Sequence, residues 1–359
     1  MPIQTAIDSI SNSQGSPFGF KNRIINGAMV IDQRNAGAAV TAQDSFPVDR
    51  FKYESSQASK LTLQQNAGSV TPPAGFTNYL GATSSSAYSI TSTDYFLISQ
   101  KIEGYNMADL AWGTASAATV TLSFRVYSSL TGTFGGAILN SAQNRSYPFS
   151  YSIPTANTWT TISITIPGDT SGTWLTTNGV GINVRFGLGV GSTYSGTAGA
   201  WAGTLYFSAT GATSVVGTNG ATFYITGVQL EKGTQATAFD YRDFGNELAL
   251  CQRYFEKSYA RGTVPATVTE VGSAYTLVGN SAGNPASNVY FKVSKRTTPT
   301  ELSFYSNVTG TIAKVRNSTA GTDENPTAYG TSENGFAALG STSTSATCFR
   351  FQWTAGSEL

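Results

Sequence analysis

The chain has 359 residues, with 21 Lys plus Arg against 20 Asp plus Glu, and the resulting net charge of +1 offers no footprint for nucleic acid or an anionic membrane. It contains no histidine, which excludes Ser-His-Asp and Cys-His nucleophiles and His-ligated zinc, copper or iron sites within the chain. With 11% charged residues, 38 Gly, 20 Phe, 18 Tyr and 3 Met, the composition favours short strands joined by tight turns, and carboxylate-only chemistry of the glycosidase type is what remains on the enzyme side.

Residues 1–20 are small and polar, with neither the basic flank nor the apolar core of a secretory signal, and read as an arm that docks on a partner. No run approaches the length of apolar sequence a membrane helix requires. From these features a soluble, cytoplasmically made protein is expected, without membrane insertion.

Residues 21–243 read as a large antiparallel β-sandwich of jelly-roll type. The reason is period-two alternation, which sends one face of a strand to the core and the other to water. Val180, Ile182, Val184, Phe186, Leu188 and Val190 alternate with Gly181, Asn183, Arg185, Gly187 and Gly189. The same pattern recurs at Val120–Val126, at Phe96, Ile98 and Ile102, at Tyr147–Ile153 and at Ile162–Ile166. Phe223 and Ile225 are in register with each other but Val228 and Leu230 are not, which predicts a β-bulge at Gly227. Pro72-Pro73, Pro167-Gly168-Asp169, Ser171-Gly172 and Thr218-Asn219-Gly220 supply turns. Between residues 110 and 230 the charged residues are Arg125, Arg145, Asp169 and Arg185, so the wet faces must carry hydroxyls and amides.

A short linking helix is expected within 244–262, with Asn246 as N-cap and Leu248, Cys251 and Phe255 along one stripe. Residues 263–359 read as a smaller C-terminal β domain, on the alternation of Val289, Phe291 and Val293, of Leu302 and Phe304, and of Phe349, Phe351 and Trp353. Cys251 and Cys348, 97 positions apart, read as two reduced thiols.

Sugar recognition would use aromatic rings, whose faces stack on the C–H face of a pyranose. Tyr194 and Trp201, on the glycine-rich stretch after the 180–190 strand, and Trp174, after a turn, are the candidate glycan-binding residues. Tyr194 stands first, while packing is an equal reading for Trp174 and Trp201 and the preferred one for Trp112 and Trp159. Asp49 and Glu231 are the carboxylates considered for calcium, but no DxDxDG-type loop supports them, so no metal or other cofactor is expected. The neighbouring acids Asp240 and Asp243, and Asp323 and Glu324, read as solvated side chains in preference to a catalytic pair, and no enzymatic activity is expected.

Asn22-Arg23-Ile24-Ile25-Asn26-Gly27-Ala28-Met29 with Asp32-Gln33-Arg34-Asn35 resembles the opening of a family of bacteriophage and prophage tail-fibre proteins. Pro47-Val48-Asp49-Arg50-Phe51, Tyr224–Gly233, Glu247–Tyr254 and the tail Phe351-Gln352-Trp353-Thr354-Ala355 resemble the same family in the same order. The resemblance implies a virion component with a carbohydrate-binding-module-like jelly roll. It also implies a homotrimer that attaches to other virion proteins and recognises a host-surface glycan. Such a protein assembles in the host cytoplasm and leaves by lysis. A purely structural virion role (head fibre, tail adaptor or decoration protein) and a glycan depolymerase are the alternatives.

Overall fold

A computed structural model describes residues 21–277, 286–339 and 348–359. The expected arm at 1–20 lies outside the described residues. The described residues form two compact units: 21–30, 37–242 and 359 in the first, and 31–36, 243–277, 286–339 and 348–358 in the second.

The first unit contains β1 (Ser45–Val48), β2 (Phe51–Ser55), β3 (Leu61–Gln65), β4 (Leu80–Ser84), β5 (Tyr95–Glu103), β6 (Val120–Ser128), β7 (Gly132–Leu139), β8 (Ser146–Ile153), β9 (Thr160–Ile166), β10 (Val180–Val190), β11 (Ser195–Gly196), β12 (Ser208–Ala209) and β13 (Thr222–Lys232). It is an antiparallel jelly-roll sandwich of two sheets, ordered β1-β2-β5-β10-β7-β8 and β3-β4-β13-β6-β9. The alternating runs lie where periodicity puts them, but the second face of β10 does not meet water as expected: Gly181, Asn183, Arg185, Gly187 and Gly189 are buried as well. Ile182, Val184, Phe186 and Leu188 of β10 and Val120, Leu122, Phe124 and Val126 of β6 are wholly buried in one shared core. Rings interlock across it edge to face, Phe124 against Phe186 at 5.1 Å.

The bulge is present. Thr226 pairs with Arg125 and Gln229 with Ser123, so Gly227 and Val228 together oppose Phe124. Gly227 takes φ +62°, a conformation glycine adopts at no steric cost. β4 accompanies β13 only over Thr222–Ile225, which leaves the far edge of the bulge without a strand partner. Residues 22–27 take that place. The Arg23 N–H donates to Leu230 O (3.0 Å) and the Val228 N–H to Gly27 O (2.9 Å). The Asn22 amide donates to Val228 O and accepts from the N–H groups of Ile24 and Leu230. The approach is so close that a Cβ at Gly27 would stand 2.1 Å from Val228 O. Gln100, from the opposite sheet, both accepts from and donates to the backbone of Ile25 at 2.8 Å.

The second unit opens with α1 (Phe244–Gln252) and β14 (Phe255–Lys257), followed by β15 (Ala274–Leu277), β16 (Ala286–Tyr290), β17 (Glu301–Tyr305), β18 (Val315–Asn317), β19 (Thr322–Glu324), β20 (Thr327–Ser332), β21 (Gly335–Leu339) and β22 (Cys348–Gly356). β22 is the hub, pairing with β14, β15, β17 and β18.

Three details differ from expectation. The N-cap of α1 is Asp243, whose carboxylate accepts from the Asn246 N–H, because a cap must stand outside the first helical turn. Glu247, Cys251 and Gln252 are the buried positions of the helix while Leu248 is half-buried, Phe255 has already entered β14, and the helix clusters with the second unit instead of forming a separate linker. The 289–293 alternation ends as a strand at Tyr290, although Phe291 still packs on the Phe304–Phe336–Trp353 core.

Lys295 and Glu256 form an ion pair at 2.6 Å with both side chains fully buried, and Lys295 also donates to Gln252 O and Val293 O. The second carboxylate oxygen accepts from the Lys292 N–H. Such a pair tolerates loss of both charges far better than loss of one.

Two predictions follow from these contacts. Asn22→Ala strands three buried backbone groups and should lower the stability of the first unit by about 2–4 kcal/mol in urea titration. Lys295→Met should cost the second unit about 3–5 kcal/mol by thermal unfolding, and Glu256→Gln added to it, which keeps the acceptor for Lys292, should recover most of the loss.

Candidate functional site

The chain between β10 and β13 leaves the sandwich edge and crosses the outer face of the six-stranded sheet. Its base is set by Asp94, 3% exposed, which ends the loop before β5. The Asp94 carboxylate accepts from Ser56 Oγ (2.7 Å), Gln57 Nε2 (3.3 Å), Tyr88 OH (2.9 Å) and both the N–H and the hydroxyl of Thr91 (2.8 Å each). The Gly191 N–H then donates to Asp94 O (2.8 Å), and β11 pairs in parallel with β12 to close the excursion. Burial works against ionisation of Asp94, but the backbone and side-chain donors outweigh it and hold the carboxyl far below the usual carboxylate range.

On this face Tyr194 stacks on Phe207 (4.6 Å between centroids, 21° between planes), and Tyr95 meets both rings edge on. Beneath them Leu97, Ala137 and Leu139 form a small second core. Beside the rings lies a polar group at mid-sheet. Arg185 is 4% exposed at its side chain and reaches Glu54 Oε2 at 3.4 Å, while Glu54 Oε1 accepts from Ser99 Oγ. The Phe207 ring covers the guanidinium at 4.2 Å. Among the described residues the Nε and Nη1 of Arg185, Asn183 Oδ1 and Ser208 Oγ have no hydrogen-bond partner, although each is buried. Burial, with the carboxylates of Glu54 and Asp44 nearby, pushes the Tyr95 phenol up, so it stays a hydrogen-bond donor at neutral pH. The Glu54 carboxylate, the Tyr95 phenol and the rings of Tyr194 and Phe207 thus share one face.

Of the predicted residues, Tyr194 belongs to this face. Trp174 and Trp201 do not join it. They form a triad with Trp112 (centroids 4.7, 5.4 and 5.5 Å apart), and Trp201 also packs on Tyr147. Each indole N–H is committed to a backbone carbonyl: Trp112 to Ala118, Trp174 to Ser171 and Trp201 to Pro167. In this arrangement Trp174 is a buried packing residue and Trp201 a half-buried one.

The carboxylates considered earlier are likewise engaged. Glu231, 2% exposed, accepts from Gln229 Nε2 and from the N–H and hydroxyl of Thr237. Asp49 is buried in the turn between β1 and β2, where its carbonyl accepts from Asn26 Nδ2. Asp240 accepts from the Asn22 N–H, and in the second unit Asp323 accepts from Ser306, Thr309 and Arg316, and Glu324 from Asn317. Among the described residues no three His, Cys, Asp or Glu side chains gather in a cluster able to hold a metal ion.

Sequence reasoning missed Glu54, Tyr95, Ser99 and Phe207. The signal available was alternation itself: Lys52 and Glu54 alternate with the buried Phe51, Tyr53 and Ser55, so their strand had to turn two charges to one face.

No family model matches the chain, and no curated protein does. Several solved structures are similar in fold. The enzymatically active domain of tailspike protein 4 of bacteriophage CBA120 aligns over 59% of this chain at 11% identity and a TM-score of 0.34, and this chain spans 21% of that one. A Bacteroides thetaiotaomicron protein provisionally assigned as sugar-binding aligns over 59% of this chain and 100% of its own, at 14% identity and a TM-score of 0.32. A family 11 carbohydrate-binding module from Clostridium thermocellum, in complex with a mixed-linked tetrasaccharide, aligns over 56% and 98%, at 12% identity and a TM-score of 0.28.

Asp94 sets a pH dependence with a definite sign. Its folded pKa lies below the unfolded value of about 3.9, so its contribution is complete above that value and is lost as pH falls through the folded one. Asp94→Asn should cost about 2–3 kcal/mol at neutral pH, and the gap from the parent should narrow in thermal unfolding carried below about pH 4.

Proposed function

We propose that this chain is a non-catalytic, glycan-binding component of a bacteriophage fibre. The observation that carries the reading is the outer face of the six-stranded sheet, where Glu54, Ser99 and Arg185 lie beside Tyr95, Tyr194 and Phe207. Glu54 accepts hydroxyl hydrogen bonds, Arg185 holds that carboxylate in place from beneath the Phe207 ring, and the rings offer C–H contacts. The role in binding alone rests on Glu54 being engaged by a serine and an arginine, an arrangement suited to an acceptor. The phage reading is supported by the order of the fibre-like segments along the chain. With it come a homotrimer, attachment to other virion proteins through residues 1–20, and release from the host by lysis.

Glycan-array and host-cell adsorption measurements on the purified chain test this. The parent should bind, and Tyr194→Ala should weaken binding by about tenfold or more with little change in melting temperature, whereas Glu54→Gln should weaken binding likewise but also lower the melting temperature, because buried Arg185 loses its counter-charge. Failure of the folded parent to bind any glycan or host cell overturns the reading, as does release of oligosaccharide from host capsule or lipopolysaccharide.

A further inference from the structure

The opposite face of the same sandwich, on the five-stranded sheet, carries a second arrangement. Along β6 the residues turned away from the core are Thr121, Ser123, Arg125 and Tyr127, and along the edge strand β9 they are the exposed Thr161, Ser163 and Thr165. Arg125 pairs across the sheet with Thr226 on one side and Thr161 on the other.

Three arginines lie between residues 110 and 230. Arg145 is bound by Asp169 at 2.7 Å and Arg185 by Glu54. Arg125 is half-buried and has no hydrogen bond or ion pair with any described residue. Aromatic rings flank it on both sides. Tyr127, two residues along the strand and so about 7 Å away, is stacked on Tyr224 (5.3 Å, 7°) and touches Trp159 (5.5 Å), with Tyr127 and Trp159 both half-buried. The second group, Phe76, Phe239 and Tyr241, packs beside the bulge with Phe76 seated on Gly227. The charge of Arg125 acts on the Tyr241 phenol, opposing the upward push of burial there, which places the two side chains within electrostatic reach.

We propose that this face is a second glycan subsite, specific for a carboxylated sugar whose carboxylate is taken by the Arg125 guanidinium while its ring lies against Tyr127 and Trp159. The inference rests on the domain's being a glycan binder, but uses none of the residues of the first face. A planar guanidinium matches a carboxylate with two parallel hydrogen bonds. One cation set among hydroxyls suits one negative charge per sugar, whereas a nucleic acid backbone calls for a row of cations. The exposed threonines and serine of β9 then meet the sugar hydroxyls.

The test compares oligosaccharides ending in glucuronate, galacturonate or N-acetylneuraminate with their carboxyl-reduced counterparts, on the parent, Arg125→Gln, Arg125→Lys and Tyr194→Ala. The parent should bind at least one acidic form about tenfold more tightly than its reduced partner, and the preference should fade as NaCl approaches about 0.5 M. Arg125→Gln, with an unchanged melting temperature, should abolish the preference while keeping neutral binding, Arg125→Lys should restore part of it, and Tyr194→Ala should leave it intact. A preference that survives Arg125→Gln overturns the inference. So does neutral binding with no acidic preference in the parent, which leaves the first face's role standing. No binding of any glycan overturns both.

Discussion

The first unit depends on how one strand resolves a conflict of register. β13 must pair with β6 along its whole length, yet its inward residues change phase at Gly227, and β4 leaves its other edge just before that point. An exposed or buried strand edge with unmet N–H and C=O groups is costly. Residues 22–27 remove that cost by bonding to Val228 and Leu230 through backbone and through the Asn22 side chain, and they carry Ile24 and Met29 into the shared core as they do so. Both sheets then converge on this segment, since Gln100 holds Ile25 from the other side.

A chain this poor in charge organises its buried polar groups through amides and hydroxyls. Asp94 is held by five donors, none of them a cation, and Glu231 by Gln229 and Thr237. Ion pairs also fix loops and elements, as Arg23 does with Asp109, Arg145 with Asp169 at the 167–169 turn, and Lys295 with Glu256 of β14. Charge is therefore scarce on the sheet faces, and where it occurs there, as at Arg185 with Glu54 and at Arg125, it stands out against hydroxyl-rich surroundings. That contrast singles out the two faces.

The segments that resemble phage fibres fall at structural joints. Asn22–Gly27 braces the bulge within Tyr224–Gly233, and Asp49 receives the Asn26 amide. Gln33 and Arg34 belong to the second unit, where Gln33 bonds the Phe255 carbonyl and the Arg34 guanidinium lies 3.8 Å over the Phe255 ring. The aromatic and polar groups of the two outer faces come from stretches outside most of those segments. The resemblance therefore bears on how the scaffold is built more than on what it binds.

Periodicity and glycine placement by themselves determined the all-β class, the long strands β5, β6, β8, β9 and β10, the bulge at Gly227 and the uncharged character of the sheets. Each of these follows from local geometry, in which side chains alternate and only certain residues accept φ +62°. They did not reveal β7, whose Gly132, Gly135 and Gly136 blunt the alternation, nor the cap at Asp243, one turn earlier than the apolar stripe suggested. The tertiary structure alone decided which aromatics pack and which present a face. Trp174 and Trp201 meet Trp112 because turns distant in sequence converge at one end of the sandwich. Tyr194 reaches Phe207, Arg185 of β10 and Glu54 of β2 meet across β5, and Arg125 has no partner among the described residues, because strand order, and not sequence distance, sets which side chains become neighbours.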